Sequence, residues 1–363
     1  MRRVGGRMPK PEKHRMTLEE AIAAGEVARA LAMVASEVRP PRAAAEAGKL
    51  AVNGRDVRGE TPLHAVVAAL VEGRLGISGA VDLVVALRMA GAMVNARECM
   101  QRNTPLHAAL LGRAPGEVLM ALADDAYAAH PPDTLLASGS AYSGIRREWH
   151  STYELHASAA NADGKCYLHL AAEINAVELA HYLLDRSERG AVGSGHALDV
   201  NSVDHEGSTA LHIAALLGRS AIVELLVAHP DIQLDVCDSS GWTPLHMSTV
   251  GGHAATVETL LVAGSDLFIR THEGSSVLDY CADEDDPDAC EVYDVMALHA
   301  EELGFDLAAE MEAEAAAEEA AEADANAEAE AGWGDEGDEW DDDDGREDQV
   351  FVTQARGNEA WRP

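Results

Sequence analysis

The stretch GSTALHIAALLG fills residues 207–218, and GWTPLHMSTVGG follows it 34 residues later at residues 241–252. Both run glycine, one variable residue, threonine, another variable residue, then leucine and histidine. Working outward from this pair, TPLHAV begins at Thr61, TPLHAA at Thr104 and CYLHLA at Cys166, and a decayed copy, SVLDYC, begins at Ser276. The starts are 43, 62, 43, 34 and 33 residues apart, so the last two intervals set the unit length and the others carry extra residues. A further degenerate copy, LEEAIAAG at Leu18–Gly25, mirrors the first half of the later units. Self-similarity at this period is the mark of a stacked-repeat architecture. About seven units are expected between residues 16 and 303.

Each unit reads the same way in physical terms. Gly59, Gly164, Gly207, Gly241 and Gly274 stand two residues before the motif start, where a turn needs positive φ. The threonine caps a helix, and proline follows at the first helical position, where its missing N–H costs nothing. Leucine is a core anchor, and the small residues after it, such as Ala214 and Ala215, allow close helix packing. A second helix follows with helical apolar spacing, as in AIVELLVA from Ala221, ATVETLLV from Ala255 and AVELAHYLL from Ala176. Gly264 closes one of these helices as a C-terminal cap. The second TPLH copy breaks the pattern, with Arg102 in the glycine position and one extra residue in its turn.

These residues resemble the ankyrin repeat, whose signature is T-P-L-H-x-A at this period. The resemblance covers residues 16–303. It implies an all-α fold: a curved solenoid of about seven helix–turn–helix units with β-hairpin fingers, stable only because units stack on neighbours. Insertions are expected near residues 73–80, 130–160 and 187–198. The first would be an extended crossing (GRLGISGA), the second a surface insertion or a decayed repeat bearing Tyr142, Trp149 and Tyr153, and the third a lengthened finger. The motif histidines His64, His107, His169, His212 and His246 are structural in such repeats and bond to the neighbouring hairpin backbone.

Composition agrees with this architecture. Apolar residues make up 47% of the 363 and aromatic ones only 4%, which suits close-packed helices rich in Ala, Val and Leu better than a β-sandwich. The net charge of −36 is uneven: residues 301–349 hold 22 acidic side chains against Arg346 alone. This stretch, within a tail expected at residues 304–363, has helix propensity but no i,i+4 ion pairs. It is expected to be largely disordered. Residues 1–15 form a short basic segment, read as a solvated tail or a weak targeting signal. Direct contact with nucleic-acid phosphates is not expected, because that affinity comes from Lys and Arg. The five cysteines form no C-x-x-C pair, and no apolar run reaches the ~18–20 residues that span a bilayer. An intracellular protein is expected, cytoplasmic or else nuclear, monomeric outside its complexes.

No H-E-x-x-H, G-x-S-x-G or G-x-x-x-x-G-K motif occurs, and Asp283–Asp288 lacks the glycine and closing glutamate of a calcium loop. No catalytic, cofactor or metal residues are assigned. The expectation is a scaffold or adaptor that binds other proteins. By the resemblance, contacts come from finger tips and the concave face of the first helices. The tips are Arg55, Arg58, His205, Glu206, Ser239, Ser240 and Trp242, the last expected to be largely exposed as an anchor. The concave face offers Lys165, Glu173, Ile174, Leu216, Leu217 and Val250. In the acidic tail, Trp333 and Trp340 would anchor a basic partner. The alternative is an inhibitor or chaperone of a basic protein, a layout similar to that of the cytoplasmic inhibitors of Rel-type transcription factors.

Overall fold

The computed structural model describes residues 16–38, 51–124, 155–188, 198–281 and 287–304. The basic N-terminal segment, the acidic tail with Trp333 and Trp340, and most of the insertions expected at 130–160 and 187–198 lie outside the described residues.

Within them, helices come in sequential pairs. The pairs are α1 (Leu18–Ala23) and α2 (Val27–Val38), α3 (Pro62–Val71) and α4 (Ile77–Met89), α5 (Pro105–Leu111) and α6 (Gly116–Ala123), and α7 (Tyr167–Ile174) and α8 (Val177–Glu188). Next come α9 (Ala210–Leu216) and α10 (Ser220–Val227), then α11 (Pro244–Val250) and α12 (Ala254–Ala263). The last pair is a short 3-10 turn (Leu278–Cys281) and α13 (Pro287–Leu303). First helices pack on first helices and second on second, giving two layers along the array. The interface is lined by fully buried Leu63, Leu106, Leu168, Leu211 and Leu245, the leucine of each motif.

One local device starts units 1 to 6, and half of it survives in unit 7, where Ser276 Oγ makes no return bond. A residue at the motif start and another three positions on bond reciprocally, closing the first helical turn. In unit 1 the pair is Thr17 and Glu20: the Thr17 N–H donates to Glu20 Oε2 at 2.8 Å. In units 2 to 6 it is Thr61/His64, Thr104/His107, Cys166/His169, Thr209/His212 and Thr243/His246, with the backbone N–H donating to histidine Nδ1 at 3.1–3.3 Å. In unit 7 the Ser276 N–H donates to Asp279 Oδ2 at 2.6 Å.

Three expectations need correction. The β-hairpin fingers are tight turns, because each has too few residues to extend a ladder. Among the described residues only the isolated antiparallel bridges Ala160–Cys166 and Val203–Thr209 occur. The crossing expected at 73–80 shrinks to a short turn, since α4 begins at Ile77; most of the extra length of unit 2 goes into longer helices, 10 and 13 residues against 7 and 8 in unit 5. The end of the second insertion is structured: His156 donates its N–H to Asn95 Oδ1 at 2.9 Å, so residues 155–160 belong to a finger. The third insertion leaves and returns at one place, with Ser187 Oγ donating to the Leu198 carbonyl at 3.4 Å.

Candidate interaction surface

The fingers are built by an acceptor that sequence reading passed over. Asp56, Asn161, Asp204 and Asp238 each stand five residues before a motif start, and each side-chain Oδ1 accepts two backbone N–H groups of its own turn at 2.8–3.0 Å. Their recurrence at one offset was the available signal. The turn glycine then brings neighbouring fingers close: at Gly241 (φ 83°) an added Cβ would meet the His272 nitrogen at 2.5 Å. Successive fingers are joined by backbone bonds, with Cys99, Ala162, His205, Ser239 and His272 donating to the carbonyls of Arg58, Gln101, Asp163, Glu206 and Ser240 at 2.8–3.1 Å. Where glycine is missing, Arg102 itself adopts φ 58°, and the extra residue widens that turn to a Glu98-to-Asn103 bond.

The motif histidines lock each finger to the unit before it. Nε2 of His64, His107, His169 and His212 lies 3.0–3.2 Å from the carbonyls of Asn103, Lys165, Ser208 and Trp242. Because Nδ1 already receives an N–H, Nε2 carries the proton and donates. Burial holds His64, His107 and His212 below the usual histidine range, His107 at about 4. The structural role of these four histidines is therefore visible. His246 keeps the reciprocal bond to Thr243, but its Nε2 contact with the Ser275 carbonyl falls short of the bonds the other four make.

Unit 4 departs from the others chemically. Burial pushes the Cys166 thiol up, but His169 Nδ1 at 2.9 Å outweighs that and brings it down to about 7; the same contact raises His169. Tyr167, in the proline position, is fully buried, with its hydroxyl 2.8 Å from Thr104 Oγ1 and its ring 4.4 Å from that of His107. The five cysteines form no disulfide. Cys166 and Cys281 are buried, whereas Cys99, Cys237 and Cys290 are exposed.

The finger-tip residues divide in two. Arg55, Arg58, His205, Glu206, Ser239 and Ser240 are exposed, although the Ser239 hydroxyl is committed to the Glu206 carbonyl at 2.6 Å. Trp242 is not the exposed anchor that was expected. It is half-buried because Tyr280 of the next unit stacks on it, 4.9 Å between ring centroids. On the first-helix face, Lys165 and Glu173 are half-buried and paired with each other at 3.3 Å, so neither is an independent contact. Ile174 is half-buried beside them.

The apolar members of that face stand out. Leu216, Leu217 and Val250 are 43%, 37% and 48% exposed at the ends of α9 and α11. Val71 and Leu111, at the ends of α3 and α5, continue the row at 50% and 47%. Sequence reading missed these two, although Leu111 follows its threonine by seven residues as Leu216 and Val250 do. Among the described residues no helix is long and apolar enough to cross a membrane.

Comparison with known proteins agrees with the geometry. The family model "Ankyrin repeats (3 copies)" matches residues 151–236, and "Ankyrin repeat" matches residues 240–272. Rabankyrin-5 of Homo sapiens is 42% identical over 76 residues, and Rabankyrin-5 of Mus musculus 41% over 76. Those matches cover 21% of this chain and 6% of each relative. The solved ankyrin repeat domain of Bcl-3 superposes with a TM-score of 0.51 at 23% identity, over 78% of this chain and 99% of that one. With six reciprocally capped units, matched segments that carry the motif and a solved repeat domain of the same fold, the chain carries ankyrin repeats at residues 151–236 and 240–272 and folds as an ankyrin repeat domain.

Proposed function

We propose that this protein is a non-catalytic scaffold or adaptor that holds a partner protein on its first-helix face and finger tips. Ankyrin repeats generally serve as protein–protein interaction modules. The observation carrying the finer reading is the row of apolar side chains left in water on helices whose other faces are packed: Leu216, Leu217 and Val250 above all. Each would contribute about 1.5–3 kcal/mol on full burial, less the part already covered. Rigid helices present them at no further ordering cost, which is what a preorganised interface needs.

The test is capture from native lysate with the full chain and with a Leu217→Lys/Val250→Lys variant of matched thermal stability. Both positions are exposed, so the substitutions leave the core intact. The expected result is that proteins retained by the native chain in high salt are lost by the variant. Equal retention by both would overturn the assignment of this face.

A second reading, an inhibitor or chaperone of a basic protein, is favoured by charge: residues 301–349 carry a formal −21, from 22 acids and one arginine. Bcl-3, whose repeat domain shares this fold, is described as a member of the IkappaB protein family. Here a chain ending at Gly304 should lose a set of basic, salt-sensitive proteins that the full chain retains. Tail-independent capture would count against this second reading.

A further inference from the structure

A recess of about 260 Å³ opens on the first-helix face between α3 and α5, remote in sequence from Leu216 and Val250. Val67, Val71 and Ala108 line it with apolar surface and Glu60, Glu72 and Glu98 with carboxylates, of which Glu98 Oε1 also accepts from Asn103 Nδ2 at 3.2 Å. The volume is below the ~300–1,000 Å³ of pockets that enclose whole small ligands. It suits one long side chain of a docked protein. Val71 belongs both to this lining and to the exposed apolar row, so the recess is continuous with the surface assigned above.

The electrostatics select the sign of that side chain. Glu60 is raised above the ordinary carboxylate range by burial first, then by Asp56, Glu98 and Glu19, while Arg58 lowers it without reversing the result. Arg58 is 3.9 Å from Glu60 with its side chain 72% exposed, a weak and solvated contact. Glu72 pairs with Arg74 at the outer edge. The remaining titratable group, His64, has both ring nitrogens committed, to Thr61 and to the Asn103 carbonyl, and burial keeps it neutral. No lysine or arginine lines the recess, and its carboxylates outnumber the nearby arginine acting on Glu60.

We infer that the recess between α3 and α5 receives a lysine or arginine side chain of a partner protein. The aliphatic stem lies on Val67, Val71 and Ala108, and the cationic head is held between Glu60 and Glu98. Long cationic side chains bury their stems on apolar surface in this way while the head stays at the polar rim. The inference rests on the reading of the first-helix face as a partner-binding surface and names the chemistry that its N-terminal half selects.

The test uses the full chain with labelled valine methyl groups, titrated in the millimolar range with the capped peptide Gly-Leu-Lys-Leu-Gly and with its norleucine counterpart. The expected result is saturable movement of the Val67 and Val71 signals with the lysine peptide alone. Glu60→Gln should weaken that binding about threefold, the size of a partly exposed ion pair. Val71→Lys, at an already exposed position, places a cation of the chain's own in the recess and should abolish the movement without lowering the thermal midpoint. Equal movement with norleucine, no saturable movement, or an unaltered affinity in Glu60→Gln would overturn the inference. These signals are independent of the Leu217→Lys/Val250→Lys capture experiment. Lysine binding with unchanged capture would sink the proposed scaffold surface around α9 and α11; lost capture without lysine binding would sink only the recess.

Discussion

A single imidazole ring does two jobs at each joint, and both demand the same protonation state. Nδ1 accepts the N–H at its own helix start, and Nε2–H reaches the carbonyl of the next finger. A second proton would put two N–H groups face to face at Nδ1. His107 shows the consequence most strongly, since burial holds it at about 4 against an unfolded value of about 6.5. A lowered folded value means the unfolded chain binds the proton more tightly. Stability is therefore full above about pH 6.5 and declines as pH falls toward 4. At pH 5 the His107 contribution to that loss is about 2 kcal/mol. The raised carboxyls Glu19, Glu60 and Asp235 act in the opposite sense on acidification, so the sum of all groups is uninformative. The informative quantity is the difference between the native chain and His107→Gln, measured by urea unfolding at pH 7.5 and pH 5. The native chain should be the more stable at pH 7.5, with the gap narrowing by about 2 kcal/mol at pH 5. A gap that ignores pH would mean that His107 titrates normally in the folded array.

At the level of helices, what could be read in advance was whatever repeats. The motif starts, the turn glycines and the leucine and alanine positions recur at fixed offsets, so the first helices and their caps were legible, down to the odd turn at Arg102. The Asx acceptors of the fingers recur too, and only the T-P-L-H focus hid them. What could not be read was anything made by one unit against the length of another. Arg88 is the clearest case. It lies in α4, is 3% exposed, and donates from Nη1 to the carbonyls of Ala121 and Asp124 at 2.7 and 2.8 Å. Those carbonyls end α6, where a cation also complements the helix dipole. Arg88 reaches them because α4 is 13 residues long, a length that the repeat pattern alone does not set. Replacing it with methionine keeps much of the packing but strips one buried and one part-buried carbonyl of a charged donor. The expected cost is about 2–4 kcal/mol, read as a lower urea midpoint, with a smaller loss for Arg88→Lys. A loss below about 0.5 kcal/mol would show that these carbonyls find other donors. The same limit explains the misjudged Trp242: its exposure depends on Tyr280, which belongs to the decayed copy where no motif guided the reading.

Across the whole array, stability is a sum of unit and neighbour terms, so ends and interior need not open together. The interior units 5 and 6 carry the complete device, with glycine turn, Thr–His bonding and finger-to-finger backbone bonds. Unit 7 carries a reduced one. Its first helix is a 3-10 turn, Asp279 stands where histidine would reach onward, and the joint to unit 6 leaves Thr271 Oγ1 and Ser276 Oγ buried without partners and His246 Nε2 short of a full bond to Ser275. Each such group costs about 1–3 kcal/mol relative to a satisfied one, enough for a tenfold change in local opening. Against this stands the packing of α13 on α12, with Val292, Met296 and Ala300 buried. That contact holds the second layer together but repairs none of the orphaned atoms in the first. Native-state hydrogen exchange should therefore show the amides of residues 287–303 opening at least about ten times more readily than those of residues 210–227. Exchange from α13 should also keep its rate when α1 or α2 is destabilised, because nearest-neighbour coupling fades over intervening units. Equal protection at both places would instead require the seventh unit to unfold only with the array as a whole. The reduced first helix would then be a full capping repeat, and its unsatisfied groups would lie within the cooperative core.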